Sequence, residues 1–261
     1  MSYSRAGLAA LVVALAAGAS LGQPTPAPSG YLGEERSPDT ILVVPPAPKD
    51  GDPRDVADRA VFRQTRALEN SPRWSLAVND VEEAVPHMLT DFSCSVGARL
   101  DPADAPKLAT LLLKIRADVA RAVNKPKNLY RRHRPFMVDD GPTCVEKTAG
   151  LTASPDYPSG HTTWSWSVGL IIAELAPDRT GQVLNRARAF GESRIVCGVH
   201  NASAIEEGRT DASALVAALH GDAAFRADMD AARAEMATLR AKPPAPAHCE
   251  AEAEAMKTTP W

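Results

Sequence analysis

Between Thr162 and Leu175 the chain is apolar on nearly every side, and the first charge it meets is Glu174. A helix apolar all round cannot lie on a surface and has to be enclosed by other elements. It is too short for a membrane: Val168 to Ala176 is nine residues and already contains Glu174, against the roughly 20 apolar residues of a span. The segments around it read as helices as well. Over 103–124, Leu108, Leu111, Leu112, Ile115, Val119 and Val123 recur at three- and four-residue steps among Lys114, Arg116 and Asp118, and Pro126 is expected to end that helix. Residues 54–69 form an amphipathic segment broken at Ser71-Pro72, and Gln182 to Cys197 and Ala212 to Arg240 complete the set. Alternating strand patterns and internal repeats are absent. The expectation is an all-α fold, a compact helical bundle around one buried helix.

The ends read differently. Arg5, the apolar run Leu8 to Ala17 and the small residues up to Gly22 have the form of a secretory signal peptide over 1–22; an uncleaved anchor is the alternative. Residues 23–53 are rich in Pro and Gly and read as an extended arm, 54–242 as the helical domain, and 243–261 as a loosely held tail. The mature chain, about 240 residues, is long enough for one sizeable core. A net charge of −3 does not indicate a broad nucleic-acid surface. Export makes disulfides the natural state of Cys94, Cys144, Cys197 and Cys249, in any of three pairings, with free buried thiols as the alternative. None has CxxC spacing, so no zinc site is indicated.

Three short segments carry the chemistry: "KNLYRRHRPF", with Lys127 and then Arg134-Pro135; "YPSGH", ending in Ser159-Gly160-His161; and "SRIVCGVH", with Arg194 and then His200. A phosphoryl group presents several anionic oxygens, so catalysis on it needs cations and N–H donors around them. Arg134 and Arg194 offer planar two-pronged contacts and Lys127 a point charge. Each alone would read as a solvated surface charge, and Arg131, Arg132 and His133 are partly that. Ser159 and Gly160 precede the buried helix, whose first N–H groups suit an anion. Ser159 also suits the role of a helix cap, which is compatible with anion binding. His87, His133, His220 and His248 lie outside these segments.

The combined pattern K-x6-RP, PSGH, SR-x5-H resembles the signature of the type 2 phosphatidic acid phosphatase superfamily, and within it the chain is most similar to the bacterial class A non-specific acid phosphatases. The likeness covers most of the mature chain and weakens after about residue 225. It implies a secreted helical phosphomonoesterase in which His200 attacks phosphorus to form a phosphohistidine. His161 would protonate the leaving oxygen and then help activate water. Lys127, Arg134, Ser159, Gly160 and Arg194 would bind the phosphate. It also implies a small phosphomonoester as substrate, the periplasm as location, no metal or other cofactor, no nucleic-acid or membrane partner after cleavage, and homo-oligomers as a family-level expectation. Asp156 and Tyr157, just before PSGH, read as rim residues.

One departure stands out. In the family the nucleophilic histidine is followed, after three residues, by an aspartate that orients its ring; here Ala204 occupies that place. On a helix through 200–208, Glu207 would lie nearly two turns beyond His200, at about 5.4 Å per turn, and could not substitute directly. A water, Ser203, a backbone carbonyl or a distant acid would have to orient His200. Turnover is expected to persist but to be slower, and to suffer more than phosphate binding. Two other readings stay open: a non-catalytic oxyanion-binding protein, for which Ala204 is the argument, and a vanadate-dependent haloperoxidase using the same cradle.

Overall fold

The computed structural model describes residues 29–242 and 248–261, so the signal peptide expected at 1–22 lies outside the described residues. Helices α1 (Gly33–Arg36), α2 (Pro53–Thr65), α3 (Pro72–Asn79), α4 (Val85–Val96), α5 (Pro106–Tyr130), α6 (Ala149–Ala153), α7 (Gly160–Leu175), α8 (Thr180–Val196), α9 (Ala202–Leu219), α10 (Ala223–Arg240) and α11 (Cys249–Ala255) follow in order, with no strand among the described residues. The fold is all-α.

Helix α7 is the enclosed element. It packs most closely against α8 and α9, with α5 and α10 completing the cage, and Trp164, Val168, Ile171 and Ile172 on it are buried. Its first turn is gripped from two sides at glycines. A Cβ at Gly191 of α8 would come within 2.9 Å of Thr162, and one at Gly208 of α9 would come within 2.9 Å of the Ser159 carbonyl oxygen. Hydrogen in place of a side chain lets both helices approach the N-terminus of α7, where the functional residues gather.

Three boundaries differ from the sequence expectation. Helix α5 does not stop at Pro126 but runs on to Tyr130, with Pro126 buried inside it. Proline costs a helix one hydrogen bond, and here packing outweighs that cost and places Lys127 in the last turns. The helix expected over 212–240 is two helices. Its first part extends α9 back to Ala202, and the chain breaks at Gly221 before Asp222 caps α10 by accepting from the Phe225 N–H at 2.9 Å. The short helices α3 and α4 had no sequence counterpart; their runs are too brief to show a helical period.

The described part of the Pro-rich arm is only partly extended. It contains α1 and a single 3₁₀ turn at Thr40–Leu42, and it enters the core through Tyr31 and Leu32. The backbone N–H groups of those two residues donate to Asp118 of α5 at 2.7 and 3.1 Å. The described part of the tail, 248–261, is also held more firmly than expected. Cys249 pairs with Cys94 of α4, and Glu252 accepts from the buried Arg186 at 3.1 Å. The second disulfide joins Cys144 to Cys197. No helix among the described residues is long and apolar enough to cross a membrane.

Candidate active site

A cavity of about 300 Å³ opens over the N-terminus of α7. Lys127, Arg134, Gly160, His161 and His200 line it, with Glu83, Arg116, Asn124, Ser154 and an apolar wall of Val119, Ala120, Val123 and Trp164. The three sequence segments therefore converge. Arg131 ends α5 in the left-handed region at φ 47°, and that turn swings the following residues back so that Arg134 faces Lys127's side of the cavity.

Each cationic group is held in place by the chain. Arg134 donates to the Ser154 and Val199 carbonyl oxygens at 2.8 and 2.7 Å, and Lys127 donates to the Pro155 carbonyl at 2.5 Å. Burial, and then Arg134, push the Lys127 ammonium down to about 8. Arg194 is 3% exposed. Its Nε and Nη1 are buried without a hydrogen-bond partner among the described residues, and burial followed by the Arg134 charge brings it down to about 10. Interior polar groups are almost always paired, so a guanidinium left open beside two other cations is a place prepared for an anion. Ser159 is fully buried and caps α7, accepting from the Thr162 N–H at 3.3 Å and from its hydroxyl at 3.1 Å. Neither Ser159 nor Arg194 is among the residues that line the cavity.

His200 answers the question raised by Ala204. It precedes α9, with Asn201 at the N-cap, so positions 200 and 204 do not share a helix face. Ala204 is fully buried, its methyl packed with Val44 and Tyr157. Glu207 pairs with Arg54 at 3.0 Å, and Ser203 bonds Asp58 and Arg132. The acid comes from elsewhere: Asp156 Oδ1 lies 2.9 Å from His200 Nδ1. Asp156 is no rim residue. It is fully buried, and it also accepts from the Asn201 N–H at 3.1 Å and the Asn201 amide at 2.9 Å. Tyr157 is likewise buried, its hydroxyl donating to the Pro45 carbonyl at 2.9 Å.

Arg132 secures this acid and is not a solvated charge. It donates to Asp55 at 2.9 Å and to Asp58 and Ser203 at 2.8 Å, and lies 3.6 Å from Asp156. Its carbonyl accepts the Asp156 N–H at 2.8 Å. Burial pulls the Asp156 carboxyl up, opposed by Arg132 and Asn201. Every close partner of that carboxyl is a donor, which fits the ionised form.

The tautomer of His200 follows from its neighbours. A carboxylate on Nδ1 requires Nδ1–H, and the Arg134 Nη1 at 3.2 Å from Nε2 can only donate, so Nε2 carries the lone pair. Burial and the charges of Arg134, Lys127 and Arg194 hold the ring well below the usual histidine range. His161, the second residue of α7, has Nε2 3.1 Å from the Val81 carbonyl and Nδ1 3.3 Å from Glu83. Burial and then Arg194 push it downward too. The other four histidines do not line the cavity.

Among the described residues, one set of groups outside the cavity has metal-ligand proximity, Cys94, His248 and Glu252, but the Cys94 sulfur is consumed by its disulfide. Sequence reasoning missed Asp156 as His200's partner because 44 residues separate them; an acid two residues before PSGH was the available signal.

Comparison with known proteins places the chain in a family. The PAP2 superfamily profile matches residues 108–224. An acid phosphatase of Zymomonas mobilis is 43% identical over 203 residues, 77% of either chain. Non-specific acid phosphatases of Providencia stuartii and Salmonella typhi are both 32% identical, covering 80% and 87% of this chain and 86% and 89% of their own. With that identity over most of its length, the chain belongs to the PAP2 superfamily, within its acid phosphatase group.

Proposed function

We propose that this protein is a periplasmic phosphomonoesterase that works through a phosphohistidine at His200, with Asp156 as the acid that orients the nucleophile. The observation that carries the reading is the His200 ring itself, with Nδ1 on a buried carboxylate and Nε2 free of its proton beside three cations. The low proton affinity of this ring keeps its lone pair available in mildly acidic medium, where an unperturbed histidine (about 6.5) would be largely protonated.

Substrate phosphate oxygens take up the open donors of Arg194 and the charges of Lys127 and Arg134, and the first turn of α7 adds N–H groups. Nε2 of His200 attacks phosphorus as the bond to the leaving oxygen breaks, and His161 gives that oxygen a proton. Asp156 stabilises the cationic ring that forms. Water then attacks phosphorus, losing a proton to His161, and the P–N bond electrons return to His200. The substrates are small phosphomonoesters whose leaving groups would lie along the apolar wall of Val119, Ala120, Val123 and Trp164.

The non-catalytic reading rested on Ala204; a buried acid 2.9 Å from His200 Nδ1 weighs against it. The test is p-nitrophenyl phosphate turnover with competitive inhibition by inorganic phosphate. His200→Ala should abolish turnover. Asp156→Asn should lower kcat by about 10²–10⁴, by analogy with loss of the orienting acid in a serine protease, while the phosphate inhibition constant moves less than tenfold. Full activity in either variant would overturn the reading.

A further inference from the structure

His161 is flanked as deliberately as His200, by a segment that the shared motifs do not include. The loop over 80–84, between α3 and α4, reaches both ring nitrogens: the Val81 carbonyl lies 3.1 Å from Nε2 and the Glu83 carboxylate 3.3 Å from Nδ1. We propose that Glu83 is a positioning residue for the general acid: its carboxylate stands beside Nδ1 of His161 as a charge, at 3.3 Å, stabilising the protonated ring once a phosphate is bound and leaving the Nδ1 proton to the substrate. The proposal rests on His161 being the proton donor of the reaction given above.

The tautomer argument is the first support. A carbonyl can only accept, so Nε2 must keep its hydrogen for Val81. The proton that leaves and returns is then the one on Nδ1, the nitrogen that faces Glu83. As the P–O bond breaks, its electron pair passes to the leaving oxygen, which takes the Nδ1 proton. His161 is left neutral, still donating from Nε2 to Val81. The attacking water later returns a proton to Nδ1.

The second support is that Glu83 is anchored. Its carbonyl accepts from the Trp164 indole at 3.0 Å and from Arg116 at 2.7 Å, and its carboxylate accepts from Arg116 at 2.7 Å. At the other end of the loop, Asp80 is fully buried and accepts from Arg186 at 2.6 Å and from the Ser193 hydroxyl at 2.6 Å. An ordinary exposed ion pair contributes little. This one is fixed through its backbone and turned toward a ring on the cavity wall.

The experiment compares kcat/KM, which reports the phosphorylation step, for two substrates. p-Nitrophenolate leaves readily without a proton, whereas the alkoxide of glycerol phosphate needs one. Glu83→Gln should lower kcat/KM for glycerol phosphate at least tenfold more than for p-nitrophenyl phosphate, with an unchanged melting temperature because the backbone anchors remain. His161→Gln should show the same selectivity, more strongly. A selective loss in His161→Gln with an equal or absent loss in Glu83→Gln would overturn the role of Glu83 alone. Equal losses on both substrates in His161→Gln would overturn the general-acid reading beneath it.

Discussion

Ala204 shows how a missing side chain can be misread when only its own segment is considered. Its methyl closes a small apolar cluster with Val44 and Tyr157, and its carbonyl accepts the Ser159 N–H at 2.9 Å, tying α9 to the cap of α7. A carboxylate there would be buried against apolar groups, and His200 Nδ1 is already bonded to Asp156. Ala204→Asp should therefore bring no gain in kcat and should cost about 1–3 kcal/mol of stability, read as a lower denaturation midpoint beside steady-state kinetics. A clear rise in kcat would mean that Asp156 does not serve the nucleophile. The cradle residues were legible because their types match phosphate chemistry within short spacings. Asp156 was visible as a residue but not as a partner, since nothing in a linear chain pairs position 156 with 200.

Elements were legible where a period persists and illegible where packing overrides a local signal. The apolar stripe of α5 was plain, but Pro126 announced an end that the core did not respect, and the extra turn is what delivers Lys127. Conversely, Gly221 and Asp222 were passed over in an Ala-rich run, although a cap followed by a fresh helix is what such a pair can make. The disulfides divide along the same lines, because four cysteines could not choose their partners from spacing. Cys94–Cys249 ties α11 to α4, and neither cysteine lines the cavity, so replacing both with Ser should lower stability by about 3–5 kcal/mol for so long a loop and leave kcat within a few-fold. Cys197 lies between Arg194 and His200 in the chain and is bonded to Cys144, whose N–H donates to the Cys197 carbonyl at 3.1 Å. The corresponding double Ser variant should lower kcat at least tenfold. Denaturant unfolding and p-nitrophenyl phosphate kinetics on both pairs check the contrast.

For the whole molecule, the all-α class followed from one enclosed helix, and the interior holds more charge than composition could reveal. Asp211 is fully buried between α9 and α7, with Thr163 as a long contact at 3.3 Å and Oδ1 unpartnered among the described residues. Burial pushes its carboxyl up to about 7. The folded chain therefore binds more protons than the unfolded chain between the ordinary carboxyl range and 7, so this group's contribution is full in acid and is lost as pH rises across that window. Asp211→Asn should match the natural chain's stability near pH 4 and exceed it near pH 7.5 by on the order of 3 kcal/mol, measured as denaturant midpoints at both values. Equal differences at the two pH values would show that Asp211 ionises normally. The dyad of Asp156 and His200 has a consequence for descent. An aspartate four residues after the nucleophile, which the resemblance implies for the family, and Asp156 here would reach one ring nitrogen from separate segments, so a lineage could exchange the acids through an ancestor that carried both. Two buried carboxylates beside one nitrogen cannot both remain ionised without cost, so descendants would keep either one. Surveys that judge such chains by the acid four residues after the nucleophile would then discard working enzymes that bear it two residues before the Pro158 turn.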